Sequence, residues 1–183
     1  DPYLISICEK GIEAGTINGV KSYRVGNFFV TFAEEVKNEF PEVSFAPLNE
    51  LAKKVLAELQ EEFQKEFSLE QNNRDFALVE LSDRPDRAGK LLFPHNISEG
   101  LVEPSCGTGT IAAAIAMHEA GLLAGEGRLK PKFSTGGDSS SIGGPEETVV
   151  ELGYRSEELS SVTSNHHDTC MRGFTYCLPH ERL

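Results

Sequence analysis

One stretch, Glu103–Gly121, constrains the fold of this chain more than any other part of its sequence. In it a cysteine, Cys106, precedes the run Gly-Thr-Gly-Thr, and an alanine-rich segment follows directly. We expect a helix from about Ile111, because the glycines before it permit a curled loop whose N–H groups point the same way. Those N–H groups and the positive end of the helix dipole would hold an anion, most naturally a carboxylate or a phosphate. The same field would favour the thiolate of Cys106 and make it a better base or nucleophile than a free cysteine.

The rest of the sequence alternates between strand and helix patterns, which is typical of an α+β fold. The pair Asn18-Gly19 indicates a hairpin, and Val20–Phe32 alternates as one strand should. Asn49–Phe67 carries an apolar stripe at helical spacing, and Asn49 is placed to cap that helix. The stripe consists of Ala52, Leu56, Leu59, Phe63 and Phe67, and the residues of the first strand that should face one side are Phe28, Val30 and Phe32. Further strands are predicted at Asp75–Leu81, Lys90–Phe93, Glu147–Leu152 and Met171–Leu178, with a flexible hairpin loop at Phe133–Gly144.

The composition excludes several classes of function. The chain has 183 residues, 39% of them hydrophobic, which suits one ordinary domain with a buried core. Its net charge of −12 argues against a nucleic-acid partner. No apolar run is long enough to span a bilayer, and the start does not resemble a signal peptide. The 4 cysteines are scattered, which gives no support to a disulfide framework or a zinc site and favours a cytoplasmic location.

The segment SCGTGTIAAAIAMHEAGLLAGE resembles the second active-site motif of the proline racemase family, within the diaminopimelate-epimerase-like superfamily. Three more segments are similar to that family in the same order: Val25–Val30, Asp75–Val79 and the closing strand and tail from Gly173. The resemblance implies half of a diaminopimelate-epimerase-like fold, with a curved, mostly antiparallel sheet around a central helix that follows the cysteine loop. It also implies that residues 1–183 form a single domain equivalent to the C-terminal, cysteine-bearing half, with the N-terminal half absent.

The racemases and epimerases of the superfamily that this chain resembles use no cofactor. Two groups, usually both cysteines, stand on opposite faces of the substrate's α-carbon, and one removes the proton while the other returns one. Because the α-proton of an amino acid is very weakly acidic, fixed N–H donors aimed at the substrate carboxylate must stabilise the carbanion. The resemblance implies that Cys106 is one of the two acid–base thiols and that the substrate is proline or a proline-like amino acid.

The residues that would bind this substrate lie close to Cys106 in the sequence. The amides of the Gly-Thr-Gly-Thr run would hold the carboxylate, and its two threonines would either add hydroxyl donors or cap the helix. The family usually reads Asp-Arg-Ser-Pro-Cys at this point, so Glu103 would replace the aspartate that meets the substrate's amine. His95 would donate a further hydrogen bond. The predicted substrate-binding residues are Gly107, Thr108, Gly109, Thr110, Glu103 and His95.

The family's first active-site cysteine, in a Met-Cys-Gly-His-type motif, has no counterpart in this sequence. Cys8 is followed by Glu-Lys and Cys170 by Met-Arg, so neither fits that motif. We therefore expect a partner domain or a second chain to carry the other catalytic cysteine, and we expect an oligomer. The alternative is a homologue that binds carboxylates without catalysis.

The segment Thr163–Cys170 holds the other unusual cluster of the sequence. Two adjacent histidines stand there with Asp168 and Cys170, but strand alternation would point the histidines to opposite faces, so no metal site is predicted. The pair Thr169-Cys170 is similar to the precursor sites of pyruvoyl-dependent reductases such as D-proline reductase. In that alternative the chain is cut before Cys170, which becomes a pyruvoyl cofactor. A polar loop before the last strand is the structural alternative.

Overall fold

The computed structural model describes residues 11–45, 48–67, 75–83, 89–92, 107–123, 128–129, 132–135, 147–155, 158–164 and 174–177. These residues contain three helices: α1 (Ala33–Glu39), α2 (Glu50–Glu66) and α3 (Gly107–Glu119). They also contain ten strands: β1 (Ile12–Ile17), β2 (Val20–Val25), β3 (Phe28–Phe32), β4 (Phe76–Leu81), β5 (Gly89–Leu92), β6 (Arg128–Leu129), β7 (Lys132–Thr135), β8 (Glu147–Arg155), β9 (Glu158–Ser164) and β10 (Phe174–Cys177).

The strands pair into one sheet with the order β1-β2-β3-β4-β5-β7-β8-β9-β10, and β6 pairs with β8 beside that path. Two of the pairings, β3 with β4 and β5 with β7, are parallel. All other pairings among the described strands are antiparallel. The predicted α+β class with a mostly antiparallel sheet is therefore confirmed.

Helix α3 is the centre of the hydrophobic core. Its residues Ile111–Met117 are all at most 2% exposed, and a helix that is apolar on every side is stable only when it is buried. The helix contacts β2, β3 and β4 and also β8 and β9, which lie towards the other end of the sheet order. The sheet must therefore curve around α3, as the family resemblance implies.

The opposite face of the first strands packs against α1 and α2. Successive side chains of β3 alternate between the two faces, because Phe28, Val30 and Phe32 join the core around α3 while Phe29 stacks on Phe63 of α2 at 4.5 Å between ring centroids. The prediction that these three residues share one side is confirmed. This part of the sheet is buried on both faces, so the elements form three layers.

The turn between β1 and β2 is the predicted Asn-Gly hairpin. Asn18 and Gly19 both have positive φ, 48° and 84°, and Ile17 pairs with Val20 across the turn. The prediction of one strand over Val20–Phe32 is wrong. Gly26, with φ of 62°, begins a turn that divides the segment into the antiparallel strands β2 and β3. Tyr23 and Val25 before the turn and Phe28 after it face the same core, so the alternation changes phase at this turn.

The predicted long helix is confirmed as α2, and its cap is also as predicted. The side chain of Asn49 accepts a hydrogen bond from the Ala52 amide at 2.8 Å. The other predicted strands correspond to β4, β5, β8 and β10. Part of the predicted loop at Phe133–Gly144 is instead strand β7, because the chain there pairs with both β5 and β8, and the remainder lies outside the described residues.

Candidate functional site

The residues predicted to bind the substrate carboxylate form the first turn of α3. The helix begins at Gly107, so its expected start at Ile111 is wrong. Two glycines within four residues disfavour a helix by about 1 kcal/mol each, and this local preference led to the prediction of a loop. Burial of the apolar residues that follow offsets this penalty, and the helix extends back to the residue next to Cys106 in the sequence.

The first turn of α3 is electrostatically suited to an anion. The positive end of the helix dipole lies there, and the backbone N–H groups of a first turn point out along the helix axis. Helices often place Asp or Glu at this end, but the first turn of α3 contains no acidic residue. The surrounding core of aliphatic and aromatic side chains has a low polarity, which strengthens the electrostatic interaction of fixed charges and dipoles with an anion.

The structure distinguishes the two threonines of the turn. Thr110 is only 1% exposed, whereas Thr108 is half-buried. Thr108 is therefore the more accessible of the two to a ligand from solvent. Both threonines follow Gly107, the first helical residue, so neither occupies the N-cap position of α3.

The far end of α3 is closed by a C-terminal cap that fixes the length of the helix. Leu122 donates its backbone N–H to Met117 and Gly121 donates to His118, each at 2.9 Å, with φ of 71° at Gly121. His118 lies in this last turn, and its Nδ1 is 3.6 Å from Oε1 of Glu119. At about 1.5 Å per residue, His118 is roughly 16 Å along the axis from the first turn, so it is not part of the candidate site.

Several predicted site residues lie outside the part of the chain that the structure describes. These are Cys106, Glu103, His95, Thr169 and Cys170. Their roles, including the pyruvoyl alternative, stay predictions. Among the described residues, no three His, Cys, Asp or Glu side chains are grouped so that they could hold a metal ion. No helix within the same ranges has the length and apolar character that a membrane span requires.

Two lysines among the described residues have raised pKa values, and neither belongs to α3. The pKa of Lys21 on β2 is raised, chiefly by its side-chain hydrogen bond with Tyr23. The pKa of Lys65 in the last turn of α2 is raised, chiefly by its side-chain hydrogen bond with Glu62. Both lysines lie at the surface, so these shifts describe surface interactions.

Comparison with known proteins gives only weak structural similarity, which one solved isomerase illustrates. No protein-family model matches the sequence, and no curated protein matches it. The crystal structure of methylitaconate-delta-isomerase aligns with a TM-score of 0.41 at 14% sequence identity, over 82% of this chain and 62% of that chain. This chain thus spans less than two thirds of the length of that isomerase. Similarity at this level does not establish a common family.

Proposed function

We propose that this chain is the cysteine-bearing domain of a cofactor-independent amino-acid racemase or epimerase that acts on proline or a proline-like substrate. Cys106 is the acid–base thiol, and the first turn of α3, Gly107–Thr110, binds the substrate carboxylate. The observation that carries the proposal is the position of this motif. The residue after Cys106 begins the buried helix that contacts strands from both parts of the sheet order, β2–β4 and β8–β9.

The position of the motif matters because proton abstraction from an α-carbon needs a charged base and a stabilised anion. A thiolate next to a helix N-terminus is favoured over the thiol, which lowers the pKa of the cysteine. When the thiolate takes the α-proton, negative charge moves into the substrate carboxylate. The dipole of α3 and the backbone N–H groups of its first turn then act on the charge that develops.

The rigidity of α3 supports this role. Its core residues are buried on all sides and its C-terminus is capped, so the first turn cannot reorient without disturbing the sheet. Donors that are fixed before the reaction do not have to be reorganised as charge develops, which is how electrostatic stabilisation becomes effective. In this proposal the hydroxyl group of Thr108 donates a hydrogen bond to the substrate, and the buried Thr110 helps to hold the turn in place.

One thiol cannot serve both faces of the α-carbon. We therefore propose that a partner domain or chain contributes the second cysteine, and that the working form is an oligomer. Glu103 meets the substrate's amine and His95 donates a further hydrogen bond. The proposed setting is a reducing compartment such as the cytoplasm, where the thiols stay available.

The experiment that tests this proposal combines thiol labelling with proton exchange. The native protein is purified with any chains that accompany it, and iodoacetamide labelling of each cysteine is followed by mass spectrometry. We expect Cys106 to react fastest and to be protected by proline or a related carboxylate. With the partner present, the substrate's α-proton should exchange with deuterated water.

The matched variants are Cys106→Ser and Cys177→Ser. We expect the first to lower exchange by at least 100-fold, the order of magnitude of general acid–base catalysis, and the second to leave it unchanged. Exchange that survives in Cys106→Ser would contradict the assignment of the base. Protection of Cys106 without exchange would indicate a carboxylate-binding homologue, and scission before Cys170 would indicate the pyruvoyl enzyme.

A further inference from the structure

The turn between β1 and β2 exposes a chemically labile pair of residues. Asn18 and Gly19 are both exposed at the tip of the hairpin, and both have positive φ. Asn-Gly is the dipeptide in which the following backbone nitrogen is least hindered, because glycine carries no β-carbon. It occurs once in the sequence, since every other asparagine is followed by a residue with a side chain.

The backbone conformation of this turn favours glycine at its second position. At Gly19 the place that a β-carbon would occupy is 2.7 Å from Cδ of Glu39 and 2.9 Å and 3.0 Å from its carboxylate oxygens. Any other residue would displace the Glu39 side chain and would also be strained at φ of 84°. The carboxylate of Glu39, the last residue of α1, therefore lies against the turn.

We propose that Asn18 is a site of spontaneous deamidation and that Glu39 determines its effect on the protein. The backbone nitrogen of Gly19 attacks the side-chain carbonyl carbon of Asn18, and a new carbon–nitrogen bond forms as the bond to Nδ2 breaks. The amide nitrogen leaves as ammonia and takes the proton that Gly19 loses. Water then opens the cyclic imide at either carbonyl and yields aspartate or isoaspartate, so the net change is one water consumed and one ammonia released.

The product adds a negative charge to a turn against which a carboxylate already lies. The new carboxylate at position 18 is adjacent in the chain to Gly19, against which the Glu39 carboxylate lies. Like charges at short range repel, even at a surface where water screens them. Deamidation therefore weakens the contact between the hairpin and α1. The isoaspartate product also adds a carbon to the main chain of a tight turn.

The first test follows the modification itself. The full chain is incubated in native buffer at mildly alkaline pH and then digested under acidic conditions, which prevents further reaction. Peptide mass spectrometry measures the conversion of each amide to an acid. We expect Asn18 to convert several-fold faster than Asn38 and Asn49, which are both followed by glutamate. Equal rates at the three asparagines would overturn the proposal.

The second test measures the role of Glu39. Asn18→Asp reproduces one product, and we expect it to lower the midpoint of urea unfolding. The loss should be smaller in a Glu39→Gln background and at high salt, because both reduce the repulsion. An equal loss with and without Glu39 would show that the new charge does not act on this carboxylate. Asn18→Gln is the control, because its longer side chain forms the ring less readily and conversion at this position should almost stop.

Discussion

Gly89 shows how a single residue is constrained by a neighbouring strand. It begins β5 and pairs with Leu81 at the end of β4. A β-carbon at Gly89 would lie 2.7 Å from the backbone oxygen of Glu80 and 3.1 Å from Cγ1 of Val79. Neither the strand backbone nor a buried branched side chain can move away at low cost. Gly15 in β1 is the opposite case, because no atom lies within 4 Å of its β-carbon position.

These two strand glycines give a matched pair of substitutions. We expect Gly89→Ala to lower the free energy of unfolding by about 1–3 kcal/mol, because the added methyl group overpacks the site. Gly15→Ala should leave stability unchanged or raise it by up to about 1 kcal/mol, since alanine loses less backbone entropy in a strand. Urea unfolding followed by circular dichroism measures both. Equal effects of the two substitutions would show that β4 does not approach Gly89 as described.

At the scale of elements, α3 has a core of alanines where other helices carry larger side chains. Ala112, Ala113, Ala114 and Ala116 are fully buried, with strands on more than one side. Small side chains let the sheet approach the helix closely, so the space around them is fixed by the strands. The stability of the protein should therefore depend on the volume of the side chains at these alanine positions and not on their polarity.

This sensitivity can be measured by placing leucine in α3. We expect Ala114→Leu to lower the free energy of unfolding by about 1–3 kcal/mol, because the site is fully buried and the extra carbons overpack it. Lys54→Leu is the control on the exposed face of α2, where a surface change should shift stability by no more than about 0.5 kcal/mol. A tolerated Ala114→Leu would mean that the strands around α3 can move apart.

The elements that sequence could predict are those with a strong local signal. The amphipathic stripe and the cap of Asn49 define α2, and the Asn-Gly pair defines the first hairpin. By contrast α1 is short, has only two buried residues and lacks a side-chain cap, so its sequence gives no periodic pattern to detect. Strand β9 is rich in serine and is held by its pairing with β8 and β10, which is information that local sequence does not contain.

The candidate site was predicted only in part for a related reason. The motif after Cys106 predicts, from residue types alone, a helix start that could bind an anion, and the structure places these residues in the first turn of a helix. That the helix begins at Gly107 depends on the burial of its remaining residues, which the glycines do not reveal. The proposed second cysteine would belong to another domain or chain, so the sequence of this chain cannot predict its position.

At the scale of the whole molecule, the rate of backbone amide exchange should depend on how deeply each element is buried among the layers. We expect the backbone amides of Ile111–Met117 in α3 to exchange with deuterium most slowly, because they open only when the sheet opens. Helix α2 is the matched comparison, since one of its faces is exposed and it can open locally. Hydrogen exchange followed by mass spectrometry measures both. Faster exchange in α3 than in α2 would contradict a sheet that encloses α3.

The enclosure of α3 by early and late strands also affects how the chain folds during synthesis. Strands β2, β3 and β4 leave the ribosome before α3, whereas β8 and β9 follow it. When α3 emerges it can therefore pack only against β2, β3 and β4. The apolar surface that β8 and β9 later cover stays exposed to water until those strands are synthesised. Contacts so far apart in sequence form slowly, and a nascent chain paused before β8 would expose a surface that aggregates or recruits a chaperone.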